Sequence, residues 1–190
     1  MTRALYAAGW AYVALCGLVL LRPRVAPTAA PHGVVSHPNG TAADWFAGMK
    51  PFCNAVEVEV QQKYRRPPEG TEGAGYSAAC YALAGKTSLA REVIERLPAS
   101  ERGRAAAIVF AVGHPVADAG DDESAGPIMR LVVEYQPDNY MALYHAGMSE
   151  YILGHSDIAR AQLERFLEIY RADDGWRSNA RTVLDRIEGR

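Results

Sequence analysis

An all-α fold of helical hairpins packed side by side, preceded by one membrane-spanning segment, is what this 190-residue sequence predicts. Three observations carry the prediction. The stretch Tyr140 to Tyr170 reads as two amphipathic helices broken at Gly154-His155-Ser156. In the first, Leu143, Ala146, Gly147, Tyr151 and Ile152 recur at the three- and four-residue intervals of one buried helical face. In the second, Ile158, Ala159, Leu163, Phe166, Leu167 and Tyr170 do the same, with Glu164, Arg165 and Glu168 turned to water. Next, small residues return at a fixed distance: Gly113 and Gly147, Gly120 and Gly154, and Ala125 and Ala159 are each 34 residues apart. Finally, a lone hairpin cannot bury its apolar faces, and the chain on either side supplies further helix-length apolar segments.

Taken in order, the chain opens with an unbroken apolar run, Ala4 to Leu21, held between Arg3 and Arg22. Eighteen residues at about 1.5 Å per residue reach about 27 Å, close to the thickness of a bilayer core. A core helix would show a polar face, and this run has none. Residues 1–22 are therefore expected to be a transmembrane anchor. Arg22 and Arg24 favour retention, while the small residues Ala26 to Ala30 keep a cleaved signal peptide as the alternative. Arg3 opposes Arg22 and Arg24, so positive charge does not fix the orientation; an extracytoplasmic domain is favoured. Residues 23–41, rich in Pro, Ala, Gly and His, read as an extended linker.

Residues 42–70 form a helical lead-in. Asp44, Trp45 and Phe46 suggest a short helix that stops before Pro51, and Pro51 suits the first turn of a longer helix running to Arg66. Phe52, Val56, Val60 and Tyr64 would be its buried stripe. The alternation Val56-Glu57-Val58-Glu59-Val60 fits a strand instead, but Gln61 to Tyr64 continue without a turn signal and helix is preferred. Pro67-Pro68-Glu69-Gly70 ends the segment. Tyr76 to Gly85 and Ser88 to Leu97 then make a hairpin about Gly85-Lys86-Thr87. A helix from Ala105 to His114 and another from Asp121-Asp122-Glu123 to Tyr135 make the next, with Pro115 and Pro127 straining them. Pro137-Asp138-Asn139 closes that unit and caps the one after it. Residues 171–190 form a final helix, opened by Asp173-Asp174 and made polar by Arg177, Arg181, Asp185, Arg186 and Glu188, as an end cap must be.

Over residues 71–170 the pattern resembles the tetratricopeptide repeat in period and in its alternation of small and large residues. Leu143, Ala146, Gly147, Ala159 and Leu163 fit that pattern in the last unit, and Tyr81, Gly85 and Ala90 occupy related places in the first. Tyr151 falls one place late, and no unit has the family's Trp. The resemblance implies a solenoid whose first helices line a peptide-binding groove. By repeat position the lining would be Phe110, His114 and Asp118 in the middle unit and Met141, Tyr144, Met148 and Tyr151 in the last. The first unit offers only Gly75, Ala79 and Ala82. The same face could instead be filled from within the chain, by the linker or the Trp45 helix.

Other chemistry is sparse. A net charge of −2 with intermixed signs offers no basic stripe for nucleic acid. No phosphate loop, nucleophile elbow or paired-His motif occurs. Ser149, His145 and Glu150 point to different helix faces and do not form a triad. The run from His114 to Asp122 groups an imidazole with several carboxylates, yet matches neither a zinc signature nor a calcium loop, so no metal and no cofactor are expected. Cys53 and Cys80 would pair in an oxidising compartment and be buried small hydrophobes in a reducing one; nothing in the sequence fixes their geometry, and unpaired thiols are expected. The expected role is a non-catalytic, membrane-anchored protein-interaction or assembly module that binds a protein or peptide. The alternative is a small metal-binding or catalytic helical protein that uses the His114–Asp122 stretch.

Overall fold

The structure, a computed structural model, describes residues 40–190. The expected span at residues 4–21 and nearly all of the linker lie outside the described residues. Within them, nine α-helices pack side by side: α1 Ala42–Met49, α2 Val58–Tyr64, α3 Thr71–Leu83, α4 Thr87–Glu95, α5 Ala99–Asp118, α6 Asp122–Tyr135, α7 Tyr140–Ile152, α8 Ser156–Ile169 and α9 Gly175–Glu188. A short 3-10 turn, Lys50–Phe52, follows α1. No helix among the described residues is long and apolar enough to cross a membrane.

Three antiparallel hairpins, α3–α4, α5–α6 and α7–α8, share one turn design. The first helix of each ends in a glycine at positive φ: Gly85 at 73°, Gly120 at 76° and Gly154 at 84°. That conformation is open to glycine at little steric cost and closes two backbone bonds that would otherwise be lost at the helix end. In each case the glycine N–H bonds three residues back, to Ala82, Ala117 and Tyr151. The next N–H bonds five residues back, from Lys86 to Tyr81, from Asp121 to Val116 and from His155 to Glu150. The second helices then bury Ala90, Ala125 and Ala159 completely. The two helices of the last hairpin approach closely at Gly147, where a Cβ would stand 2.6 Å from Leu163 Cγ and 3.3 Å from the Ala159 carbonyl oxygen. Gly113 meets Ile128 in the same way, its Cβ position 2.5 Å from Cγ2.

Apolar burial falls into two clusters. One joins α1 to α7 through Phe46, Met49, Val58, Ile94, Val109, Ile128, Met129 and Leu131. The other joins α7, α8 and α9 through Leu143, Tyr144, Leu163, Phe166, Val183 and Leu184. Side-chain caps set several helix starts. Thr41 and Asp44 make a reciprocal capping box on α1, Asp121 caps α6, Asn139 caps α7, and Asp174 caps α9 through the N–H groups of Trp176 and Arg177.

The lead-in segment differs from expectation. No continuous helix runs from Pro51 to Arg66. Asn54 interrupts it: its side-chain oxygen accepts from the N–H groups of Val56 and Glu57, both at 3.1 Å, and its carbonyl restarts the helix at Val58. The face therefore rotates. Val58 and Gln62 are buried, whereas Val56, Val60 and Tyr64 of the expected stripe are exposed. Gln62 is satisfied by donating to the Ser77 carbonyl at 3.1 Å. Trp45 also turns this way, its indole N–H donating to the Arg65 carbonyl at 3.0 Å. Cys53 and Cys80 are joined by a disulfide, with Cα atoms 4.8 Å apart, correcting the expectation of unpaired thiols. The turn ending at Cys53 delivers that side chain to the last turn of α3, a juxtaposition invisible in the spacing of the cysteines.

The middle hairpin is also longer than predicted. The helix expected over 105–114 runs from Ala99 to Asp118, straight through Pro115, and α6 continues through Pro127. His114 and Asp118 are therefore helical residues one turn apart. The loop supposed to hold them shrinks to three residues, Ala119 to Asp121.

Candidate functional site: an imidazole and aromatic row

The first helices of the second and third hairpins, α5 and α7, together with α9, carry a continuous row of rings. Phe110 lies 4.9 Å from His114 between ring centroids, and His114 lies 4.9 Å from His145, edge to face. His145 then meets Trp176 at 5.6 Å, and Trp176 packs on Tyr144 at 4.5 Å. Edge-to-face geometry is the favoured arrangement for such quadrupoles. The helix period explains the row: Phe110, His114 and Asp118 stand at intervals of four on α5, and Tyr144 and Met148 do so on α7.

Asp118 sits between the two imidazoles. Its Oδ2 is 3.6 Å from His114 Nδ1 and its Oδ1 is 3.7 Å from His145 Nε2. One ligand atom from each of these three residues can be chosen so that all lie within 4.8 Å of one another. Asp118 is open to solvent, His114 half-buried and His145 buried. The Nε2 atoms of both histidines are buried without a hydrogen-bond partner among the described residues. Burial of the ring, and then the neighbouring His114, push His145 below the ordinary imidazole value of 6.5, against the pull of Asp118 and Asp122. The ring is thus held in its neutral form, with a lone pair to offer.

The residues assigned to a groove by repeat position have separate fates. Phe110, His114 and Asp118 lie together on α5, and Met148 on α7 has its sulfur 3.9 Å from Asn179 Nδ2 on α9. Met141 and Tyr151 are half-buried. Tyr144 is the floor: it is only 9% exposed, packs on Phe166 and Trp176, and its hydroxyl accepts from Asn179 Nδ2 at 2.7 Å. The face over Tyr144 is filled from within the chain, but by the C-terminal helix α9. Residues 23–39 of the linker lie outside the described residues, and the Trp45 helix packs on α3.

Sequence reasoning gave His145 and Trp176 no place in the site. A signal for the first existed: a shift of 34 residues carries Phe110 onto Tyr144, directly beside His145. Trp176 lies beyond the repeat register and had none. Ser149, His145 and Glu150 take three different partners. Ser149 donates to Asp122 at 2.8 Å, His145 faces Asp118, and Glu150 is buried between Arg130 at 3.1 Å and His155 at 2.6 Å. Away from this row, a cleft of about 450 Å³ opens between α2, α3 and α4, lined by Glu59, Lys63, Pro68, Tyr81 and Arg96 among others.

Comparison of the chain with protein-family models, with curated proteins and with solved structures returns no match. The geometry alone therefore carries the functional reading.

Proposed function

We propose that this chain is a membrane-anchored interaction module of tetratricopeptide-like architecture that docks a protein or peptide segment without catalysing a reaction. The observation that carries the reading is the row on α5, α7 and α9. Helices α5, α7 and α9 carry Phe110, His114, Asp118, Met148 and Asn179, a set that is neither fully buried nor fully polar. Aromatic and thioether groups give contact area at low entropic cost, and an open carboxylate beside them gives direction. The shared turn geometry and the 34-residue return of Gly120 to Gly154 support a solenoid of like units. The Cys53–Cys80 disulfide supports an oxidising, extracytoplasmic setting for the domain, and the apolar run Ala4 to Leu21 supports attachment.

The test uses the full-length chain in its native membranes. A photo-crosslinking residue is placed at Met148 or Asn179 of this set, or at Glu164 on the outer side of α8. The reading expects one shared adduct from positions 148 and 179 and its absence from position 164. Equal labelling from both faces, or no adduct from positions 148 and 179, overturns it. Alkaline carbonate should leave the chain in the membrane pellet; release into the supernatant removes the anchor from the proposal.

A further inference from the structure

We infer that His114, Asp118 and His145 form a binding site for a divalent transition-metal ion of the zinc, cobalt, nickel or copper type. The site goes beyond the docking reading and does not depend on it. Its parts come from two helices of different hairpins. His114 and Asp118 are one turn apart on α5, and His145 projects from α7 to face them. The i, i+4 placement puts an imidazole and a carboxylate on one helix face, and the third donor arrives across the hairpin interface.

The chemistry of the donors selects the ion. Two imidazoles and one carboxylate suit borderline metals, whereas calcium and magnesium prefer all-oxygen cages. Metal–nitrogen bonds of about 2.0–2.1 Å place tetrahedral donors about 3.3 Å apart. His114 Nδ1 and His145 Nε2 lie 3.6 and 3.7 Å from the two Asp118 oxygens, and the three-donor set as a whole lies within 4.8 Å, so side-chain rotations of up to about 1.5 Å bring the donors onto one ion. A second, independent feature points to a ligand: the Nε2 of His145, a residue 8% exposed, is buried and has no hydrogen-bond partner among the described residues. Buried polar atoms left unpaired are costly, and an ion or an ordered water is the usual occupant at such a place.

The surroundings fit an open rather than a closed centre. Asp118 has a side chain 54% exposed, so the ion would face solvent on that side and keep coordination positions for water or an incoming donor. Behind it, Phe110 and Trp176 pack against the two imidazoles and limit their rotation. Asp122, held by the Ser149 hydroxyl, adds negative charge toward His145 and favours a cation.

The experiment titrates zinc chloride into the full-length, disulfide-intact chain in detergent, read by calorimetry, with cobalt chloride as a parallel optical probe. One zinc per chain is expected, with affinity falling roughly hundredfold or more in His114→Gln, His145→Gln and Asp118→Asn, and unchanged in His155→Ala. Circular dichroism without metal checks that each variant is folded. Cobalt absorption of the native chain reports imidazole coordination directly and needs no variant, so a variant that fails to fold leaves the proposal open to refutation. A native chain that binds no zinc overturns the site. So does cobalt binding with only the spectrum of the aqueous ion, or zinc binding unchanged in folded His114→Gln and His145→Gln.

Discussion

At the scale of single residues, Tyr144 shows how burial reassigns a side chain. Its repeat position marks it as groove lining, yet Phe166, Trp176 and Asn179 enclose it. Tyr144→Ala is therefore expected to cost about 3 kcal/mol of stability, as loss of a buried aromatic does, in thermal denaturation with no partner present. An unchanged melting temperature would contradict its enclosure. Glu150 is the other residue that the sequence concealed. Its carboxylate is 1% exposed and is held by Arg130 and His155, both of which reach water. Glu150→Gln keeps the shape but removes the charge that both partners answer, and should destabilise the fold by roughly 1–3 kcal/mol in chemical denaturation. The helical period of α7 shows only that Glu150 is off the apolar stripe. That Arg130 reaches it from α6 is a long-range fact, and no local pattern encodes it.

At the scale of elements, the hairpin crossings depend on small residues. Ala159 and Ala125 are fully buried where α8 meets α7 and α6 meets α5, so leucine at either place should overpack the contact and cost about 1–3 kcal/mol. If both variants melt like the native chain, the correspondence between the units is wrong. These crossings were legible in advance because the glycines and alanines return in fixed register. The lead-in was not, because one Asn54 side chain competes with the backbone and shifts which face of α2 is buried. The helical placement of Asp118 was hidden for a related reason: the helix was expected to end at His114, before Pro115, and packing against neighbouring hairpins lets α5 continue to Asp118. Helix α9 offers a pH test. The Tyr170 hydroxyl first, and then the backbone N–H groups of Arg177 and Trp176, hold Asp174 below its ordinary value of 3.8. A depressed carboxylate contributes stability that is present above the unfolded value and lost as pH falls through the folded one. Trp176 fluorescence should therefore report loosening of α9 below pH ~4. Asp174→Asn, which caps without titrating, should flatten that acid limb; an identical limb in the variant would exclude Asp174 as its source.

At the scale of the molecule, the Cys53–Cys80 bridge closes a loop with a sequence separation of 27 and ties the lead-in to the first hairpin. Loop-closure entropy assigns such a link about 3.5 kcal/mol. Cys53→Ser should lower the midpoint of denaturation accordingly, and a reducing agent should do the same to the native chain; equal midpoints would show that the thiols are free. The sequence showed both cysteines on apolar stretches but not that the turn after α1 would bring them together, because a disulfide depends on three-dimensional vectors that spacing does not carry. The far end of the array bears the opposite feature. Helix α9 buries Ala180, Val183 and Leu184 against the last hairpin and turns Arg181, Asp185, Arg186 and Glu188 outward. A row of like units has no inherent length, since the surface that accepts the next unit is the same at every step. On the proposed reading of the helices as such a row, the charged outer side of α9 offers no such surface, and a molecule shorn of α9 is expected to present Tyr144 and Phe166 as a sticky end to its own kind.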